Sequence, residues 1–218
     1  LTGDTSLTFL RSAWRSGNAG CPAMDRARSI RGQEPPLKRN EIWAIRARLH
    51  TQSRLRDVAM FNLAIDSNLR ACDLAGLRVR DVTQSGRVAK RAIVMQRKTR
   101  RPVQFEITGQ TGQQWSDELD RKLEPHDFLF PGRKDSATHI STRQHAKLLK
   151  DWVAEIGLDP TCYPSHSLRR TKATSICRRA KNLRAVQLLP GHAKVESTVR
   201  NLGMEPDDAL EIAEQTEI

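Results

Sequence analysis

From Leu37 onward the apolar positions fall at helical spacing. Ile42, Ile45 and Leu49 recur every three or four residues with Trp43 beside them, and predict a first helix. Leu55, Val58, Ala59, Phe61, Leu63 and Ile65 follow more densely and predict a second, more buried helix. ACDLAGL predicts a short helical piece leading into VRDV. The period then changes. RVAKRAIVM at 87–95 and PVQFEI at 102–107 read as two strands of a hairpin, joined by the basic turn QRKTRR with Lys98 near its tip. Helical patterning returns at about 111–123, and FLFPG at 128–132 reads as a short strand or loop ending in a turn. Further helices are expected over roughly 141–156, 166–180, 182–189 and 194–201. Pro206, Asp207 and Asp208 suit the start of a last helix, where proline costs no hydrogen bond and acids meet the positive end of the dipole. Residues 1–36, broken by Gly17, Gly20, Pro22, Gly32, Pro35 and Pro36, read as an irregular arm or the remnant of something preceding. Residues 37–218 read as one domain. The expected class is mainly α with a small antiparallel β-sheet.

Composition narrows the field of functions. The 218 residues include 37 Lys+Arg against 25 Asp+Glu, a formal charge of +12, which favours a polyanionic partner. Residues 87–101 hold seven bases and no acid, and residues 161–200 hold nine bases and one acid, Glu196. If both runs face one groove, they neutralise phosphates and release counterions on binding. The last sixteen residues reverse the sign, with six acids and no base. No apolar run is long enough for a membrane span, and the N-terminus lacks the pattern of a secretory signal. Cys21, Cys72, Cys162 and Cys177 lie far apart, so neither a zinc site nor a disulfide framework is expected, and a reducing, cytoplasmic setting fits. An RNA reader would match the charge, but aromatics are only 5% and form no stacking cluster. Nucleic acid is the leading partner.

Four stretches carry the chemistry: NLRACDLAGLRVRDV at 68–82, QRKTRR at 96–101, SHSLRRTKAT at 165–174 and LLPGHAKVESTVRNLG at 188–203. Their order, spacing and intervening hairpin resemble the catalytic domain of the tyrosine recombinase, or phage integrase, family, from about Leu37 to Glu211. In that family a DNA phosphodiester is broken by transesterification. Guanidiniums offer rigid donor forks to the phosphate oxygens, a lysine protonates the leaving 5′ oxygen, histidines complete the hydrogen bonding, and a tyrosine attacks. The resemblance implies Arg70 as the first arginine, Asp73 as an acid supporting the site, Lys98 as the hairpin lysine, His166 and Arg169 as the H-x-x-R pair, and His192 as the later histidine. No metal or other cofactor is implied, since these cationic side chains do what metal ions do in other phosphoryl-transfer sites.

The sequence departs from the pattern where the nucleophile belongs. Counting nine positions on from His192 reaches Asn201, and a carboxamide is not a useful phosphoryl nucleophile. Tyr163, the single tyrosine, lies on a different segment, and Ser197 and Thr198 occupy other places along the expected helix. Pro190 stands before Gly-His where an apolar residue is usual, and the family's preceding DNA-binding domain is expected to be missing or reduced to the 36-residue arm. The expectation is a DNA-binding protein of the recombinase type that is cleavage-deficient as it stands. A non-catalytic accessory or regulator, and a decayed mobile-element protein, are the alternatives. The acidic C-terminal helix is a candidate for joining further copies or active homologues, or for packing at home. Taken singly each residue has an ordinary reading: Arg70 a helix-end arginine, Lys98 a solvated turn residue, His166 a helix-start donor, His192 a residue after a helix cap.

Overall fold

The computed structural model describes residues 35–109, 111–113, 124–132 and 137–180, the side chains of 177–180 excepted. Residues 1–34 of the expected arm at 1–36, most of the helix at 111–123 and everything from 181 onward, including Pro190, His192, Asn201 and the last helix, lie outside the described residues. Within them the order is α1 (Arg39–Thr51), α2 (Leu55–Ser67), α3 (Ala71–Ala75), α4 (Val79–Val82), β1 (Thr83–Gln84), β2 (Arg87–Val88), β3 (Arg91–Met95), β4 (Pro102–Glu106), α5 (Thr142–Glu155), a 3-10 turn (Pro160–Cys162) and α6 (Ser165–Ala180).

Helix α2 is the centre of the fold. Every residue from Val58 to Ser67 is buried, because α1, α6 and β4 all pack around it. Phe61 on α2 meets Trp152 on α5 edge-to-face, with ring centroids 5.7 Å apart and both side chains fully buried. A pair of this kind contributes about 1 kcal/mol beyond the area it removes from water. The loop between α1 and α2 is pinned to the far end of α5 by Arg54, whose guanidinium contacts Asp57 at 2.6 Å and Glu155 at 2.7 Å. Leu37 joins α6 across the chain, its backbone N–H donating to Thr171 Oγ1 at 3.1 Å.

The expected helices at 37–49, 55–65, 71–77, 141–156 and 166–180 are all present. The expected strand at 87–95 is not one strand. Ser85 and Gly86 both take positive φ (52° and 74°), the geometry of a two-residue hairpin turn that matches strand twist. Residues Arg87–Val88 therefore fold back on Thr83–Gln84, and Ala89 N–H donates to Val82 O, ending the pairing. A new ladder starts at Arg91, with Arg91 opposite Glu106 and Met95 opposite Pro102. There are thus two separate two-stranded antiparallel sheets among the described residues. In the β3–β4 ladder, Ala92, Val103 and Phe105 face the core while Arg91, Ile93, Met95, Gln104 and Glu106 are exposed. FLFPG bends at Leu129–Phe130 between two isolated bridges, from Arg78 to Phe128 and from Pro131 to His139.

Candidate functional site

Arg70 sits at a break between two helices, and the sequence makes that break. Asn68 caps α2 in the left-handed region at φ 52°, a conformation asparagine tolerates better than most side chains. The chain then runs extended through Arg70 (φ −71°, ψ 153°), which serves as the N-cap of α3. The Arg70 carbonyl accepts from the backbone N–H groups of Asp73 and Leu74, both at 2.9 Å. The side chain of Asp73 lies one turn further and is buried.

The β3–β4 hairpin reaches this break. Gln96 N–H donates to Arg101 O at 3.0 Å, and Arg100 N–H donates to Gln96 O at 2.9 Å. The four residues Arg97–Arg100 form the tip, with Arg100 at φ 52°. Two contacts bind the tip to the α2–α3 break. Arg97 N–H donates to Asp73 Oδ1 at 2.9 Å, and Arg70 Nη1 donates to Gln96 Oε1 at 2.7 Å. Arg97, Lys98, Arg100 and Arg101 are all exposed. The Arg97 guanidinium lies against Gly76, where a side chain would meet its Nη2.

Helix α6 supplies the third part. His166 stands exposed in its first turn, Leu168 faces the core, and Arg169 is buried at 6% exposure. Burial, and next the nearby Arg70 charge, pull the Arg169 guanidinium down to about 10, with Asp73 and then Cys72 opposing the shift. Arg70 Nη1 lies 4.0 Å from Asp73 Oδ2. Two guanidiniums are therefore held within electrostatic reach of each other, mostly out of water, around one carboxylate. Their like charges repel, and an anion placed between them would be attracted by both.

Arg70, Asp73 and Arg169 are thus brought together, Lys98 rides on the loop tied to Arg70, and His166 lies one turn before Arg169. His192 and Asn201 lie outside the described residues. Tyr163 is buried, and its hydroxyl lies 3.4 Å from Glu41 Oε1 on α1 as donor. Gln96 is the polar residue that sequence reasoning misses. Its one signal is its place at the root of the basic turn, two residues before Lys98. Among the described residues no cluster of His, Cys, Asp and Glu has the makings of a metal site, and no helix is long and apolar enough to cross a membrane.

Comparison with known proteins bears on the family and the fold. The sequence model of the phage integrase family matches residues 36–202. The chain is similar to the tyrosine recombinase XerC of Neisseria gonorrhoeae, 30% identical over 146 residues that cover 66% of this chain and 46% of the relative. It is 27% identical over 171 residues to tyrosine recombinase XerD of Xanthomonas axonopodis pv. citri, covering 69% and 51%. The chain spans about half the length of these relatives. Among solved structures, XerA recombinase superposes with a TM-score of 0.68 at 19% identity, covering 87% of this chain and 65% of that one. The Tn1549 transposon integrase, in complex with transposon right end DNA, gives 0.68 at 12% identity, covering 96% and 75%. These structural likenesses speak to the fold.

Proposed function

Because the chain belongs to the phage integrase family, we propose that it binds double-stranded DNA through a phosphate clamp of Arg70, Lys98, His166, Arg169 and His192, and that it does not cleave DNA as it stands. The observation that carries this reading is the site around Asp73, where Arg70 Nη1 lies 4.0 Å from Oδ2 and the buried Arg169 feels the charges of both Arg70 and Asp73. Two like charges around a single carboxylate leave net positive potential at one point. A phosphodiester there accepts from both planar forks and relieves the repulsion. In the transition state of transesterification the same donors meet charge building on the non-bridging oxygens, so the set suits both binding and catalysis. Lys98, exposed on its loop, has the reach to protonate a leaving oxygen, and His166 stands at the open end of α6.

What this chain lacks is the attacking oxygen. Asn201 takes the nucleophile's place in sequence. Tyr163 does not substitute for it, being a core residue engaged with Glu41. Site-specific recombination or integration is the family role, and this chain fills the DNA-holding part of it. Asn201 also favours a second reading, a non-catalytic accessory that occupies recombination sites or joins active homologues. A decayed mobile-element protein is the remaining alternative, and a non-cooperative melt would favour it. Equilibrium binding to a mixed-sequence duplex tests the clamp. The expected result is an affinity that falls steeply with salt and drops on Arg70→Ala or Arg169→Met. Equal affinity for the native chain and both variants would refute it.

A further inference from the structure

We propose that Gln96 is a positioning residue that orients the Arg70 guanidinium toward a DNA phosphate and couples it to the loop carrying Lys98. This rests on the phosphate-clamp reading above. Gln96 is 1% exposed. Its Oε1 accepts from Arg70 Nη1 at 2.7 Å and from Thr99 Oγ1 at 2.6 Å, which occupies both lone pairs of that oxygen. Thr99 is the residue after Lys98, so one atom holds both the arginine and the loop tip. The main chain of the same residue roots the loop, donating to Arg101 O and accepting from Arg100 N–H. A shift of the tip therefore moves the acceptor that sets Arg70.

The chemistry of the acceptor matters as much as its place. Arg70 has five N–H donors, and this bond uses one of them on one edge of the fork. A neutral carboxamide fixes that edge and leaves the full positive charge for a phosphate. A carboxylate at position 96 would satisfy the same two donors while cancelling the charge. Asp73, the carboxylate already present, stands 4.0 Å from Arg70 Nη1 with its other oxygen engaged by the Arg97 backbone. Orientation and counter-charge are thus assigned to different side chains.

A double-mutant cycle on the full chain separates positioning from mere structure. Dissociation constants for a fluorescent mixed-sequence duplex are measured for the native chain, Arg70→Ala, Gln96→Ala and the double variant. Gln96→Ala is expected to weaken binding about fivefold alone and less than about twofold when Arg70 is already gone. Gln96→Glu keeps the acceptor in case the alanine variant fails to fold. It is expected to melt like the native chain, yet bind more weakly with the salt slope reduced by about one phosphate contact. Full additivity of Gln96→Ala with Arg70→Ala, or native binding by Gln96→Glu, would overturn the proposal. If Arg70→Ala itself leaves affinity unchanged, the clamp reading falls and this proposal with it.

Discussion

Two buried polar clusters join the end of α2 to α6, and they are built on opposite principles. The first converges on Asp66. Its Oδ2 accepts from Thr108 N–H at 3.2 Å, Thr108 Oγ1 at 2.8 Å and Thr111 Oγ1 at 2.8 Å. Lys172 Nζ on α6 lies 3.4 Å from Oδ1 and donates to the Asp66 carbonyl at 3.2 Å. The second holds Arg70 and Arg169 around Asp73. Arg169 and Lys172 are three residues apart on one helix, so the same element carries a member of each cluster. Around Asp66 the donors converge on an acceptor. Near it, burial pulls the half-buried Arg46 guanidinium down while the Asp66 charge raises it. At Arg169, by contrast, burial and the nearest guanidinium pull the same way. A cluster of the first kind holds elements in register, and one of the second kind gathers positive charge beside a single carboxylate.

Substitutions can pull the two clusters apart. The largest effect is expected from Asp66→Ala, which strands three donors and a lysine and should cost about 3 kcal/mol or more of stability in urea unfolding. The folded fraction should bind DNA as the native chain does.

Acid should act at a third place. His145 on α5 is 2% exposed, and burial pulls its imidazole down to about 4 from the usual 6.5. Above about pH 6.5 both folded and unfolded chains hold it neutral. As pH falls toward 4 the unfolded chain takes the proton first, so stability is lost across that window, by at most about 3 kcal/mol. Urea midpoints against pH should show this decline, and His145→Phe should flatten it. A decline that persists unchanged in His145→Phe would place the acid sensitivity elsewhere.

Arg169→Met should invert the Asp66→Ala result. Removing a buried charge beside another guanidinium should leave stability equal or raised, while DNA affinity drops about tenfold. The smallest change is expected from Arg100→Gly. Glycine relieves the positive φ at the hairpin tip, so stability should change by less than about 1 kcal/mol, and loss of one exposed cation should weaken DNA binding about two- to threefold.

Helical spacing makes α1, α2 and α5 legible in the sequence, because each carries an apolar stripe that must meet a core, whereas the buried face of α6 is largely polar, with Ser167, Arg169, Thr171 and Thr174 beside Leu168 and Ala173. The hairpin is legible through its β-rich flanks and basic turn. The split at Ala89 is not, although Ser85-Gly86 is itself a turn signal; the β-favouring residues on both sides of Lys90-Arg91 let 87–95 pass for one strand. Arg70, Lys98, His166 and Arg169 stand out through their motifs. Gln96 and Asp66 do not, since nothing local distinguishes a buried polar hub from a surface residue until partners 26 and 42 positions away arrive. Tyr163 shows the reverse case: its hydroxyl suggests chemistry, and its place is the core.

The most direct test of the central claim is covalent trapping on nicked duplexes made from DNA flanking the gene, with the native chain beside Asn201→Tyr, read as a complex that survives SDS. A trapped adduct is expected for Asn201→Tyr alone, with the adduct lost when Arg70 or Arg169 is also replaced. Trapping of the native chain, or an adduct indifferent to both arginines, would contradict it.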